Sequence, residues 1–310
     1  MSRHAAKPFA VAMLAMCSLA QAQPTYTGTT SADAFLASGS PNNPEGADLT
    51  GLNFGAAGML AVAPGSSVQG EFQSVLRFPL SDAIVLFNAT CGTNAWTITG
   101  ISLELASDYG TAGEQPNNLL FGVINGGSFV IEWLSNDGWV EGTGTPNLPT
   151  TDGVTYDSLP TLLSGAHELL CTNTYTPPGN NVHLTYPLPL NTNLVADMAK
   201  GGDVSLLFYS ADDQINYLFN SHSYGRGNEP LIHVSATPLL KLLSGSFTNG
   251  LFHLTGIGGT NLQCQVQAIT DLSTTNWDTL GTVSADSTGA MQFDDATATN
   301  HAQRFYRLSR

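Results

Sequence analysis

The segment His167-Glu168-Leu169-Leu170-Cys171 comes within one residue of the His-Glu-x-x-His pattern. That pattern sets two imidazoles one helical turn apart, with a glutamate base beside a metal-bound water. Cys171 can replace the second histidine, but the sequence shows no third ligand, and near-misses of this kind arise by chance. A glycosidase needs two carboxylates facing each other across a sugar. Glu132 and Glu141, flanking Trp133 and Trp139, are the pair the sequence offers, although scattered surface carboxylates are the default in so acidic a chain. Asp33, Glu45 and Asp48 place three oxygen donors in one stretch, as a calcium ion prefers; a solvated acidic loop is the plainer reading. The adjacent pairs Asp212-Asp213 and Asp294-Asp295 make poor sites, since neighbours on a strand point to opposite faces. No Gly-x-Ser-x-Gly elbow, phosphate-binding glycine loop or Cys-x-x-Cys pair occurs. The expectation is a protein that is not an enzyme and requires no cofactor, with a structural calcium ion as the one candidate.

Aromatic side chains are the stronger lead. The apolar face of a sugar ring stacks on Trp or Tyr while its hydroxyls bond to Asn, Gln and Asp. Trp133, Trp139, Tyr156, Tyr209, Tyr217 and Tyr224 are candidates. For Trp139 and Tyr156 a core role is the competing reading. Tyr217 and Tyr224 lie near the Gly225-Arg226-Gly227-Asn228 loop and are expected to be more exposed, with Arg226 the cation beside them. Arg77, between Leu76 and Phe78, is expected to need a carboxylate partner, for which Glu71 and Glu104 are candidates.

These residues must be positioned by strands. Charged residues make up only 11% of the 310 residues, so the polar surface is built from Ser, Thr, Asn, Gln and Gly, which suit strands and turns better than long amphipathic helices. Ile98 to Leu105 alternates with period two. Similar runs are Val75–Phe78, Leu119–Ile124, Phe129–Leu134, His183–Tyr186, Val204–Tyr209, Asn216–Phe219 and Leu231–Ser235. Gly-, Asn- and Pro-rich pieces such as 40–44, 142–153 and 175–181 separate them. Only two short helical pieces are expected, one from Tyr156 to Leu163 or Leu169 and one at Leu194–Lys200. From Thr237-Pro238 onward the pattern changes, with candidate strands at Phe247–Leu254, Gln263–Ala268, Trp277–Val283, Ala290–Phe293 and Phe305–Leu308. The predicted organisation is a first domain at 23–236 and a small β-sandwich at 237–310.

Residues 1–22 read as a secretory signal peptide: Arg3, His4 and Lys7 precede an apolar run from Phe9 to Ala20 that ends in Ala20-Gln21-Ala22. Cleavage near Ala22 would leave a secreted, periplasmic or cell-surface protein with no transmembrane segment. A lipid on Cys17 is disfavoured because Met16 stands where a small residue is wanted. Without the signal, seven cations face 24 carboxylates, a formal net charge of −17. The scattered cations argue against nucleic acid as a partner. Of the three remaining cysteines, Cys91 and Cys171 both fall in the first domain and are the disulfide candidate, leaving Cys264 as a small buried hydrophobe. Connectivity stays open at this level.

Four segments carry a resemblance. Ala32-Asp33-Ala34-Phe35-Leu36 with Gly39-Ser40-Pro41-Asn42-Asn43, then Ser74 to Ser81, then Trp139-Val140-Glu141 running to Val154-Thr155-Tyr156 and Pro160, and finally Asn220-Ser221-His222 with Glu229 to Val234, resemble the DNRLRE domain family of secreted bacterial proteins. The likeness spans Ala32 to about Ser235 and implies a carbohydrate-binding-module-like jelly-roll β-sandwich. His222-Ser223 departs from that family's Arg-Glu, Pro79 from its Asp and Tyr156 from its Trp. The tail, with Asn276-Trp277, Phe293-Asp294-Asp295 and Arg304-Phe305-Tyr306-Arg307-Leu308, resembles small C-terminal β modules of exported proteins. The resulting expectation is an all-β protein, a jelly roll followed by a smaller Ig-like sandwich. It would bind a polysaccharide or cell-surface glycan without catalysis. A structural envelope or matrix protein is the alternative, and a polysaccharide-degrading enzyme comes third.

Overall fold

Short β-branched and aromatic runs broken by Gly, Asn and Pro favour strands. The computed structural model, which describes residues 23–309, is all-β, 45% strand against 11% helix. The expected signal peptide and Cys17 lie outside the described residues. The chain divides into a larger unit, Thr25–Ile84 with Ile98–Ser235, and a smaller one built mainly from Val85–Thr97 and the residues from Ala236 onward. Among the described residues no helix is long and apolar enough to cross a membrane.

The larger unit is built on β1 (Thr25–Thr29), β2 (Ala32–Ala37), β3 (Met59–Val62), β4 (Phe72–Pro79), β5 (Trp96–Tyr109), β6 (Gly127–Leu134), β7 (His167–Tyr175), β8 (His183–Leu188), β9 (Asp203–Ser210), β10 (Tyr217–Asn220) and β11 (Leu231–Pro238). One antiparallel sheet runs β1-β11-β5-β10-β3 with β8 also on β5; the other runs β2-β4-β9-β6-β7. Aromatic rings join the two sheets: Phe129 of β6 meets Tyr186 of β8 and Tyr217 of β10, and Phe208 of β9 meets Phe219 of β10, all at ring separations of 5.2–6.0 Å. This is a β-sandwich whose middle is an aromatic layer. Each such ring contributes about 1.5–3 kcal/mol by leaving water.

The predicted alternation in β5 holds from Ile101 to Leu105, where Ile101, Leu103 and Leu105 are buried and Ser102 and Glu104 are not. The two expected helices form as a 3₁₀ turn at Tyr156–Ser158 running into a single α-turn at Leu159–Leu162, and as Thr192–Lys200. An unexpected helix spans Ser81–Cys91, where the apolar run Ala83–Phe87 hides a helix from periodicity. Leu119–Ile124 is not a strand. Asn118 accepts a hydrogen bond from the Leu120 N–H at 2.9 Å and curls the segment into a turn. Arg77 finds neither Glu71 nor Glu104. It sits 3.5 Å from Asp203, donates to the carbonyls of Asp137 and Trp139, and lies over the Trp139 ring.

The smaller unit faces a β12-β13-β16 sheet against a β15-β14-β17 sheet, with β12 Lys241–Thr248, β13 Leu251–Ile257, β14 Gln263–Ile269, β15 Asp278–Ser284, β16 Ala290–Asp295 and β17 Phe305–Ser309. The single strand expected at Phe247–Leu254 is a hairpin, because Asn249 and Gly250 both take positive φ (52° and 83°), the requirement of a type I′ turn. Asp294 faces out toward His253, while Asp295 turns in. The buried Asp295 accepts from Arg304 Nη1 (2.7 Å), Tyr306 Oη (2.9 Å) and the Thr297 N–H and hydroxyl. The arginine and tyrosine of the tail motif therefore anchor this unit's core.

The expected Cys91–Cys171 disulfide is not formed. Both are free thiols, and they fall in different units: Cys91 closes the Ser81–Cys91 helix and is buried, while Cys171 lies in β7 opposite Ile131. Burial pushes both thiols upward. Cys264 is buried and its Sγ lies 3.6 Å from Met291 Sδ.

Candidate functional site

The end of β5 is where the larger unit departs from regular pairing. Leu218 of β10 pairs with Tyr109, but its neighbour Phe219 pairs with Ser107, so Asp108 is the extra residue of a β-bulge. A bulge leaves its residue outside the ladder and re-aims it. Asp108 thereby lines a cleft of about 610 Å³ with Tyr109, Glu114, Asn117, Asn118, Asn180, Asn181, Tyr224 and Arg226. That volume is typical of a small-ligand site.

Three loops build the walls, and each is held by identifiable contacts. The loop after β5 is pinned by the buried Phe121, which packs on Phe35 (5.4 Å) and Phe72 (5.6 Å), and by Gln115, whose side chain donates to the Phe121 carbonyl. The β7–β8 loop crosses Gly110 so closely that a Cβ there would lie 2.0 Å from the Gly179 oxygen. Asn180 Oδ1 accepts from the Gly110 N–H, and Asn181 Oδ1 accepts from Asn220 and Asn228. The third wall is the 3₁₀ turn His222–Tyr224, ended by Gly225 at φ 67°. Beyond it Arg226 lies over the Tyr224 ring, 5.2 Å from its centroid, a cation–π pair that stiffens an otherwise exposed loop.

The cleft is electrostatically unusual. Burial, and then the neighbouring Glu114 charge, push Asp108 from an ordinary 3.8 up to about 6. Its carboxyl therefore changes from donor-capable to purely accepting within a mildly acidic range. Rings, amide side chains, one cation and two carboxylates converge on one concave surface.

The sequence matches no protein-family model and no curated protein.

Of the residues singled out in the sequence, the cleft brings together Tyr224 and Arg226. Tyr217 is a correction: it is 0% exposed and stacks on Tyr175 at 3.7 Å, because β10 is an interior strand whose residues are all buried. Trp133 is core, its indole N–H donating to Asp197. Trp139 is also buried, donating to Ser205, with one edge on a second, mostly apolar hollow of about 400 Å³ beside Val154 and Leu162. Tyr156 is partly buried and donates to Glu71. Tyr209 is partly buried, its hydroxyl raised by burial and the Glu132 carboxylate.

Glu132 and Glu141 each have a histidine beside them: His167 Nδ1 lies 2.5 Å from Glu132, and His222 Nδ1 3.3 Å from Glu141. His167 and Cys171 lie on a strand, so the helical spacing of a His-Glu-x-x-His zinc motif is absent. Among the described residues Asp33, Glu45 and Asp48 do not form one close group of ligand atoms. Asp48 turns back on Thr50, and Glu45 donates its own N–H to Asn43. Asp33 is buried on β2 and meets Glu141 and His222 instead, the group of three ligand-bearing side chains that converges among the described residues. Sequence reasoning missed Asp108 and Glu114, for which the only local signal was two carboxylates in a Gly-, Asn- and Pro-rich stretch.

Proposed function

We propose that this chain is a non-catalytic, exported carbohydrate-binding protein of the DNRLRE-like kind, and that the Asp108–Arg226 cleft receives the glycan. The observation carrying this reading is the convergence, in one about 610 Å³ cleft, of Tyr109, Tyr224, Arg226 and four asparagines. Tyrosine faces suit the C–H side of a pyranose, and amide groups both donate to and accept from ring hydroxyls. Preorganised loops reduce the ordering entropy lost on binding. The test is affinity electrophoresis of the full chain through gels containing neutral, amino and uronate polysaccharides. Retardation by one class, weakened about 10-fold or more in Tyr224→Ala, is expected for an aromatic anchor. Migration unaffected by every polymer would favour an envelope or matrix role instead.

A second reading draws on Asp108 and Glu114. A carboxyl titrating near 6 beside another carboxylate is the pattern of an acid–base pair in glycoside hydrolysis. Release of reducing ends from a retained polymer, abolished by Asp108→Asn, would establish it; binding without product supports the non-catalytic reading.

A further inference from the structure

We propose that Asp33, Glu141 and His222 form a site for a divalent ion of the zinc class, separate from the cleft. Three different segments supply the ligands: β2 carries Asp33, the chain beyond Trp139 carries Glu141, and the first residue of the 3₁₀ turn is His222. Each is prepositioned. Buried Asn53 donates to the carbonyls of Glu141 (2.6 Å) and Val154 (2.8 Å) and fixes the Glu141 backbone. The Asp33 N–H donates to Glu141 Oε1 at 3.2 Å, and the His222 N–H to Asp33 Oδ2 at 2.8 Å.

The spacing separates this trio from the molecule's other histidine–carboxylate pairs. His167 approaches Glu132 to 2.5 Å, His183 approaches Glu104 to 2.6 Å, His253 approaches Asp294 to 2.6 Å and His233 approaches Glu104 to 3.0 Å. His222 Nδ1 instead stands 3.3 Å from both Asp33 Oδ2 and Glu141 Oε1, and neither contact has hydrogen-bond geometry. Ligand atoms about 2.0–2.1 Å from a tetrahedral zinc ion stand about 3.3–3.4 Å apart. The two separations thus match edges of a zinc tetrahedron better than a closed ion pair.

A second observation is independent of the spacing. Asp33 is 0% exposed, yet its Oδ1 has no hydrogen-bond partner, a costly state for a buried carboxylate oxygen. A zinc ion held by both oxygens of the Asp33 carboxylate would give Oδ1 its partner as well as binding Oδ2. One imidazole with two carboxylates suits zinc better than calcium, which favours an all-oxygen shell. Three protein ligands leave the fourth zinc position to water. Because the site ties β2 to the turn that presents Tyr224, its role is to brace one wall of the larger unit.

The test uses the full chain without a histidine tag, stripped with chelator and titrated with ZnCl₂ alone, following heat of binding and melting temperature. One equivalent should bind, and zinc at about 100 times its dissociation constant should raise the melting temperature by about 5–10 °C. His222→Arg should lose both responses while staying folded, since a guanidinium can serve both carboxylates but cannot ligate a metal. His183→Ala, which alters the exposed Glu104 cluster, should leave both intact. Absence of stoichiometric binding, a response surviving His222→Arg, or one abolished by His183→Ala would each overturn the proposal.

Discussion

Replacing Asp108 with asparagine should make the protein more stable at pH 8 and leave its stability unchanged near pH 3.5. In the folded chain the carboxyl titrates near 6, against 3.8 when free, because burial and then Glu114 oppose its charge. A folded-state value above the unfolded one means a stabilising contribution that is complete below 3.8 and is lost as pH rises through about 6. Moving a carboxyl over that interval corresponds to about 3 kcal/mol. Asp108 is partly exposed, and solvent screening reduces this to about 1–2 kcal/mol. Asparagine keeps the shape without the charge, so Asp108→Asn should recover that amount above pH 7. The assay is urea unfolding of wild type and variant at both pH values, fitted to the transition of the larger unit because a two-unit chain need not unfold in one step. Glu114→Gln, which removes the smaller cause, should give a lesser gain with the same sign. An equal effect at both pH values, or destabilisation at pH 8, would refute the account of a carboxylate held at the bulge against its own electrostatics. Stability sacrificed at a concave polar surface is what a ligand site shows.

Two further outcomes follow from burial. Arg304→Met should destabilise the smaller unit by about 3–5 kcal/mol, because it leaves the Asp295 carboxylate buried beside Tyr306 without its cation; an unchanged thermal transition would contradict this. Tyr217→Phe should change stability by no more than about 1 kcal/mol, since the buried hydroxyl faces only that of Tyr186, whereas Tyr217→Ala should cost about 3–5 kcal/mol from the aromatic layer. Glycan retention unchanged in Tyr217→Phe would match its core position; loss of retention in that variant with stability intact would contradict it.

Local chemistry determined much of the molecule from sequence alone. The alternation in β5, the strands now numbered β6, β9 and β11, the Thr192–Lys200 helix and the all-β character were legible because pleat and turn preferences act between near neighbours. The Asn249-Gly250 hairpin was legible in principle, as its dipeptide is a strong turn signal, but the apolar residues on either side made one strand of it. Tyr224 and Arg226 were picked out because they sit among glycines. Tyr217, seven residues earlier, was misplaced because a tyrosine looks alike on an edge strand and an interior one; only the pairing of β10 between β3 and β5 decides that it is buried.

What the tertiary structure alone decided is which distant residues meet. Asp108 became a cleft residue through a one-residue slip against β10, a register property that no alternation within β5 encodes. Asp33 was grouped in sequence with Glu45 and Asp48, its neighbours along the chain, yet it meets Glu141 and His222, 108 and 189 positions away. A sandwich places together the ends of strands that are remote in sequence, and packing between sheets, acting through burial rather than bonding order, chooses those partners.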